Sequence, residues 1–260
     1  MRVTCRHALA VVGLLLIASP AGAADITVFA AGAAKELISR IETPFTHATG
    51  HRIKATFDTV GAQRERVERA APAARPDVVM LSSAAITQLN KLGLIDAASV
   101  RDIGDVQVGL AMIAAGNAQS QTAPDISTPE ALRATLVAAT SVAYADPARG
   151  ATAGAHFAQV LTALGISDEV AKRTTVLPFG VEVIEAVAAG KYGLGVSQSS
   201  EIVQHKGVRY IGALPVPHQL ATRYQIAALK DRPLGKSLAD FVVTEGGKAA
   251  SRESGFEAPR

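Results

Sequence analysis

The sequence has a single cysteine, Cys5, and nothing for it to pair with. It lies in the N-terminal stretch MRVTCRHALAVVGLLLIASPAGAA. There Arg2 and Arg6 precede a short apolar run, residues 8–17, which Pro20 ends before Ala21-Gly22-Ala23. Charge, apolar run and small-x-small site in that order describe a cleaved secretory signal. Cleavage is expected after Ala23 or Ala24, giving a signal of residues 1–24 and a periplasmic mature chain. Cys5 leaves with the signal, so neither a disulfide nor thiol chemistry is expected, although the compartment is oxidising. Stability must then come from the core alone. The mature chain also lacks any run near the ~20 apolar residues of a membrane span.

An excess of one charge is missing too. Lys and Arg total 26 and Asp and Glu total 23; without Arg2 and Arg6 the basic count is 24 and the net charge +1. With no Lys/Arg-rich run, the sequence gives no sign of nucleic acid as a partner. Also absent are a nucleophile–His–Asp signature, a metal-ligand cluster, a phosphate loop and a GxGxxG turn after a strand. No metal and no cofactor are expected. No internal repeat interrupts the chain, and a monomer is expected.

What remains is an alternation of short apolar runs with amphipathic stretches, the pattern of an α/β fold with mainly parallel sheets. Strands are expected at 25–30, 51–57, 77–83, 106–116, 141–147, 174–180, 192–200, 208–215 and 222–229. Between the first two, Ala34, Leu37, Ile38, Ile41 and Phe45 share one helical face. Thr128-Pro129-Glu130 opens another helix with a cap and a proline in its first turn. In open parallel sheets, ligands sit at the carboxyl ends of strands, where helix N-termini point. The turns there, 30–34, 58–62, 81–84, 146–154, 179–182 and 197–200, are built almost wholly of Gly, Ala, Ser and Thr. Small residues let a ligand reach backbone N–H groups, although tight turns favour small residues in any case.

The segments ITVFAAGAAKEL, TFDTVGAQRERVERAAPAARPDVVMLSS, DPARGATAGAHFAQVLTALGI, VEVIEAVAAGKYGLGVSQSSEI and YQIAALKDRPLGKSLADFVV occur in that order. Together they resemble the periplasmic molybdate-binding-protein family of transporter-linked solute-binding proteins, over nearly the whole mature chain. The resemblance implies a type II periplasmic binding fold: two α/β lobes joined by a two-strand hinge, with the ligand between them. It places one lobe at 25–105 plus 218–260 and the other at 106–217. It also implies a small anionic ligand and a membrane ABC permease as partner.

The ligand positions depart from that family. Its two oxyanion-binding serines correspond to Ala33 and Val60, and its contacting tyrosine to Gln198. Two backbone-contacting positions correspond to Ala153 and Val181. Unpaired charge in a dry cleft is costly, so losing these hydroxyls argues against molybdate. Replacement donors are Thr59, Ser82, Ser83, Thr152, Ser197, Gln198 and Ser199, with Arg64, Arg66 and Arg149 as cations. Arginine pairs with carboxylates bidentately, which points to an organic di- or tricarboxylate. Arg64 and Arg66 are expected in the first turns of one helix, about 200° apart around it; of the two, Arg64 is the cleft candidate. For each arginine an ordinary surface role is the alternative.

Two functions follow. One is a receptor delivering its solute to a transporter. The other is an isomerase on the same scaffold, since periplasmic aconitate isomerase resembles these proteins. Its 1,3-proton shift needs one acid/base, for which His156 and Glu182 are candidates. The ordinary alternative for His156 is a capped or solvated helix position, and for Glu182 a place in a helix's first turn, where the dipole favours it.

Overall fold

The computed structural model describes residues 23–114 and 122–259. The signal reading at 1–22 and the end of the expected strand at 115–116 lie outside the described residues.

Strand β1 (Asp25–Ala31) leads through a 3-10 turn, Gly32–Ala34, into helix α1 (Lys35–Thr49). Leu37, Ile38, Ile41 and Phe45 are its buried face, and Gly50, at φ 76°, ends it in a left-handed conformation that glycine adopts without strain. Strand β2 (Arg52–Asp58) pairs parallel with β1, and α2 (Val60–Arg69) follows. Next come β3 (Val78–Ser82), wholly buried and also parallel to β1, and α3 (Ser83–Lys91).

The 13-residue strand β4 (Arg101–Ile113) starts before the expected position 106. Its first residues, Arg101-Asp102-Ile103-Gly104-Asp105, are too polar to read as a strand. They are held by cross-strand pairs instead: Asp105 takes Arg223 Nε at 2.9 Å, and Asp102 takes Gln225 Nε2 at 2.8 Å. After β4 come α4 (Pro129–Ala138), β5 (Val142–Ala145), α5 (Thr152–Ala163) and α6 (Ser167–Ala171). Then follow β6 (Thr174–Leu177), α7 (Gly180–Ala188), β7 (Leu194–Gln198), α8 (Ser199–Ile202) and β8 (Val208–Ala213). Strand β9 (Ala221–Ala228) and helices α9 (Pro233–Val242) and α10 (Glu245–Glu253) close the chain.

Strand β4 belongs to two sheets. Residues 101–107 pair antiparallel with β9, which continues through β3 and β1 to β2. Residues 108–113 pair antiparallel with β7 and β8, and the parallel strands β7, β5 and β6 extend that second sheet. The chain returns between Ala213 and Ala221, where Leu214 and Leu220 both hydrogen-bond Val108. Each sheet has its own core. Val28, Leu37, Phe45, Met80 and Leu238 belong to the first; Leu110, Leu132, Phe157 and Val196 belong to the second. Ala143, Val183 and Ile184 form a smaller cluster beneath α7.

Helix α5 reaches the second sheet only because residue 154 is glycine: a Cβ there would overlap the Ala145 carbonyl oxygen. Gly246 in α10 is the opposite case, with open space where a Cβ would stand. Gly154→Ala is therefore expected to lower stability by about 2 kcal/mol or more. Gly246→Ala should be neutral or stabilising by about 0.5–1 kcal/mol. Urea unfolding midpoints of both variants check this, and equal midpoints would contradict the packing described.

Candidate ligand cleft

The carboxyl ends of β1, β2, β5 and β7 point toward one another across the two sheets. Between them is a cavity of about 290 Å³, at the lower end of the range for small-molecule sites. Helices α2, α5 and α7 start at its wall, and Val60, Ala153 and Val181 line it from their first turns. The first N–H groups of a helix have no intrahelical acceptor. Among the described residues, no acceptor reaches the N–H groups of Val60, Ala153 or Val181. These donors, with the positive ends of the helix dipoles, favour an anion.

Side chains complete the wall. Lys35, at the start of α1, lines the cavity and has no ion-pair partner among the described residues. The hydroxyl-bearing residues Thr152, Ser197 and Tyr224 line it too. Tyr224 is 1% exposed. Burial, then the Glu201 charge, push its phenol well above the usual range, so it remains a donor. Gln198 is 4% exposed, and neither polar atom of its side chain closes a hydrogen bond within the usual limits, although the Tyr224 hydroxyl and the Glu201 N–H face it. Glu201 is half-buried by area because one side opens on the cavity. Desolvation by the surrounding protein pushes its carboxyl up, against hydrogen bonds from Ser197 and the Gln198 N–H that favour the ionised form.

One rim is closed by contact between the sheets' loops. Thr59 caps α2 by accepting from Ala62 N at 3.2 Å and donates its hydroxyl to the Arg149 carbonyl. Gly61 N–H reaches the Gly150 carbonyl at 3.2 Å. A Cβ on Gly61 would stand 2.7 Å from the Gly150 Cα, so both positions require glycine for this approach.

Of the residues expected from the sequence, Ala33, Thr59, Val60, Thr152, Ala153, Val181, Glu182, Ser197 and Gln198 line the cavity. Arg64, Arg66, Ser82, Ser83, Arg149, His156 and Ser199 do not. Helix α2 begins at Val60, so Arg64 lies a turn deeper than expected and pairs with Glu68 at 2.8 Å. Arg66 stacks over Phe29 with its guanidinium 4.0 Å from the ring centroid. Arg149 pairs with Asp58 at 3.3 Å and lies 4.8 Å from the Phe179 ring centroid. Ser82 caps α3 and Ser83 opens it. His156 Nε2 is bonded to the His218 carbonyl at 2.8 Å. Sequence reasoning missed Lys35, Tyr224 and Glu201. Lys35 carries a usable signal, a cation at a helix N-terminus, on α1 rather than on α2.

Glu201 makes a stability prediction. Its folded-state pKa is raised, so its contribution is complete below the ordinary value of 4.5. That contribution is lost as pH rises toward the folded-state value. Glu201→Gln removes the ionisation while keeping an acceptor for Ser197. The variant should therefore gain thermal stability relative to wild type as pH rises from 4.5. A difference in Tm that stays constant from acid to neutral pH would contradict the assigned environment.

The model of the family described as bacterial extracellular solute-binding protein matches residues 26–257. A protein named aconitate isomerase, from a Pseudomonas species, is 27% identical over 263 residues, covering 96% of this chain and 95% of its own. The periplasmic molybdate-binding protein of Azotobacter vinelandii superposes with a TM-score of 0.73 at 17% identity, over 90% of this chain and 100% of that one. The sulfate-binding protein SubI of Mycobacterium tuberculosis gives 0.65 at 16% identity, over 90% and 87%. At these identities the two structures establish the fold, that of type II periplasmic binding proteins, and not the ligand. With its model matching almost the whole described chain, this protein belongs to the bacterial extracellular solute-binding protein family.

Proposed function

We propose that this protein is a periplasmic receptor whose cleft takes a small organic di- or tricarboxylate for delivery to an ABC-type permease. In this reading, lobes 25–105 plus 218–260 and 106–217 close on the ligand. The observation that carries it is the convergence of the free Val60, Ala153 and Val181 N–H groups with the Lys35 ammonium on one cavity. Such a wall suits an anion. Ala33 and Val60 bring no hydroxyl to it, which disfavours a tetrahedral oxyanion needing several donors at one centre.

A second reading is an isomerase acting on aconitate. It is favoured by the full-length relative of that name and by two carboxyl groups, Glu182 and Glu201, in the cavity wall. A 1,3-proton shift needs one positioned acid/base. The bond to the His218 carbonyl holds His156 away from that task.

A thermal-shift panel of molybdate, sulfate, phosphate, succinate and tricarboxylates tests the receptor reading, since a ligand raises stability by mass action. Carboxylates should stabilise; stabilisation by molybdate alone would overturn the reading. Lys35→Ala should weaken carboxylate binding by about tenfold or more, the scale of a lost charge-assisted hydrogen bond, whereas Arg64→Ala should leave it unchanged. Incubation with cis- or trans-aconitate followed by NMR separates the readings: interconversion establishes the enzyme, and saturable binding without turnover eliminates it.

A further inference from the structure

A carboxyl group facing an anion site is an electrostatic contradiction unless something neutralises it. Glu201 presents that contradiction. It follows directly on β7 in the first turn of α8, lines the cavity, and has no cationic partner among the described residues. Its two oxygens differ. Oε2 accepts from the Ser197 hydroxyl and, at 3.4 Å, from the Gln198 N–H. Oε1 has no hydrogen bond among the described residues and points toward Gly32, where a Cβ would stand 2.6 Å from it. Gly32 thus keeps that oxygen clear, and Gly180 does the same beside Oε2. Next to it the Gln198 amide, 4% exposed, closes no hydrogen bond within the usual limits, although the Tyr224 hydroxyl and the Glu201 N–H face it.

We propose that Glu201 carries a proton on Oε1 and shares it with a carboxylate of the bound ligand, with Gln198 Nε2 donating beside it. The proposal rests on the carboxylate reading of the cleft and adds the group that selects for it. An ionised Glu201 would repel a carboxylate at close range in a desolvated site. The neutral acid turns repulsion into an O–H···O⁻ hydrogen bond, of the strong charge-assisted kind. No bond to carbon changes; the proton stays on Oε1 or is shared along the hydrogen bond. The hydrogen bonds to Oε2 leave Oε1 as the proton-bearing atom. Lys35, Asp58, Glu182, Glu185 and Tyr224 are the other charged or titratable groups on the cavity wall, and a variant at position 201 separates its proton from theirs. Burial of the Glu201 carboxyl favours its neutral form. Above its folded-state pKa, ligand binding must draw the proton from solvent.

The test is calorimetric titration of the mature protein with tricarballylate and with succinate, in two buffers of different ionisation enthalpy, from about pH 5 to pH 9. Wild type should take up a proton per ligand at the upper end, its affinity falling about tenfold per pH unit there. Glu201→Gln should bind with no such uptake and a flatter pH dependence. Ser197→Ala removes a donor that favours the ionised form, so it should move the onset of uptake to higher pH; this arm decides the matter should Glu201→Gln fail to fold. Tight binding without uptake, or the same pH dependence in wild type and both variants, overturns the proposal while leaving the carboxylate reading in place. Failure of either carboxylate to bind overturns both.

Discussion

Backbone N–H groups that no helix can satisfy govern this molecule. Helices α2, α5 and α7 start where strands end, and their first turns bring N–H groups without an acceptor among the described residues to one cavity wall. Leaving such groups without an acceptor is costly, and an occupant of the cavity that supplies acceptors would relieve that cost. The small residues of the surrounding turns follow from the same requirement, because a side chain there would cover the donors. Gly32, Gly61, Gly150 and Gly180 each sit where a Cβ would strike another part of the wall.

The two sheets make this possible. Strand β4 runs through both of them, and the return between Ala213 and Ala221 lies against it at Val108. Each sheet has a separate core, so the cavity wall is assembled from two packed bodies. The rim contact of Thr59 and Gly61 with Arg149 and Gly150 is made almost entirely of backbone. Such a contact depends on close approach and would be lost early if the bodies separated.

Much of the fold was legible because periodicity survives in single segments. The apolar face of α1 and the buried run of β3 needed no partner to be seen. The first part of β4 was hidden because polar cross-strand pairs, not apolar alternation, hold Asp102 and Asp105 in place. At the site, the turns that carry Val60, Ala153, Val181 and Gln198 were accessible by their position after strands, and the family resemblance picked out those residues within them. Arg64 misled because the start of α2 depends on the Thr59 cap, and one turn further along the helix, about 5.4 Å, takes the side chain beyond the cavity wall to a pairing with Glu68. Tyr224 and Glu201 come to the cavity from a strand interior and a one-turn helix, and only the packing of distant segments brings them there. Their chemistry has no local signature: a tyrosine in a strand and a glutamate in a helix turn are ordinary in sequence.

The central claim is that the free helix N-terminal donors hold a carboxylate. A crystal structure of the mature protein with tricarballylate tests it most directly. The account predicts carboxylate oxygens within hydrogen-bonding distance of the Val60, Ala153 and Val181 N–H groups, with Lys35 turned toward them. A ligand bound elsewhere, or those three groups left facing solvent in the complex, would contradict it.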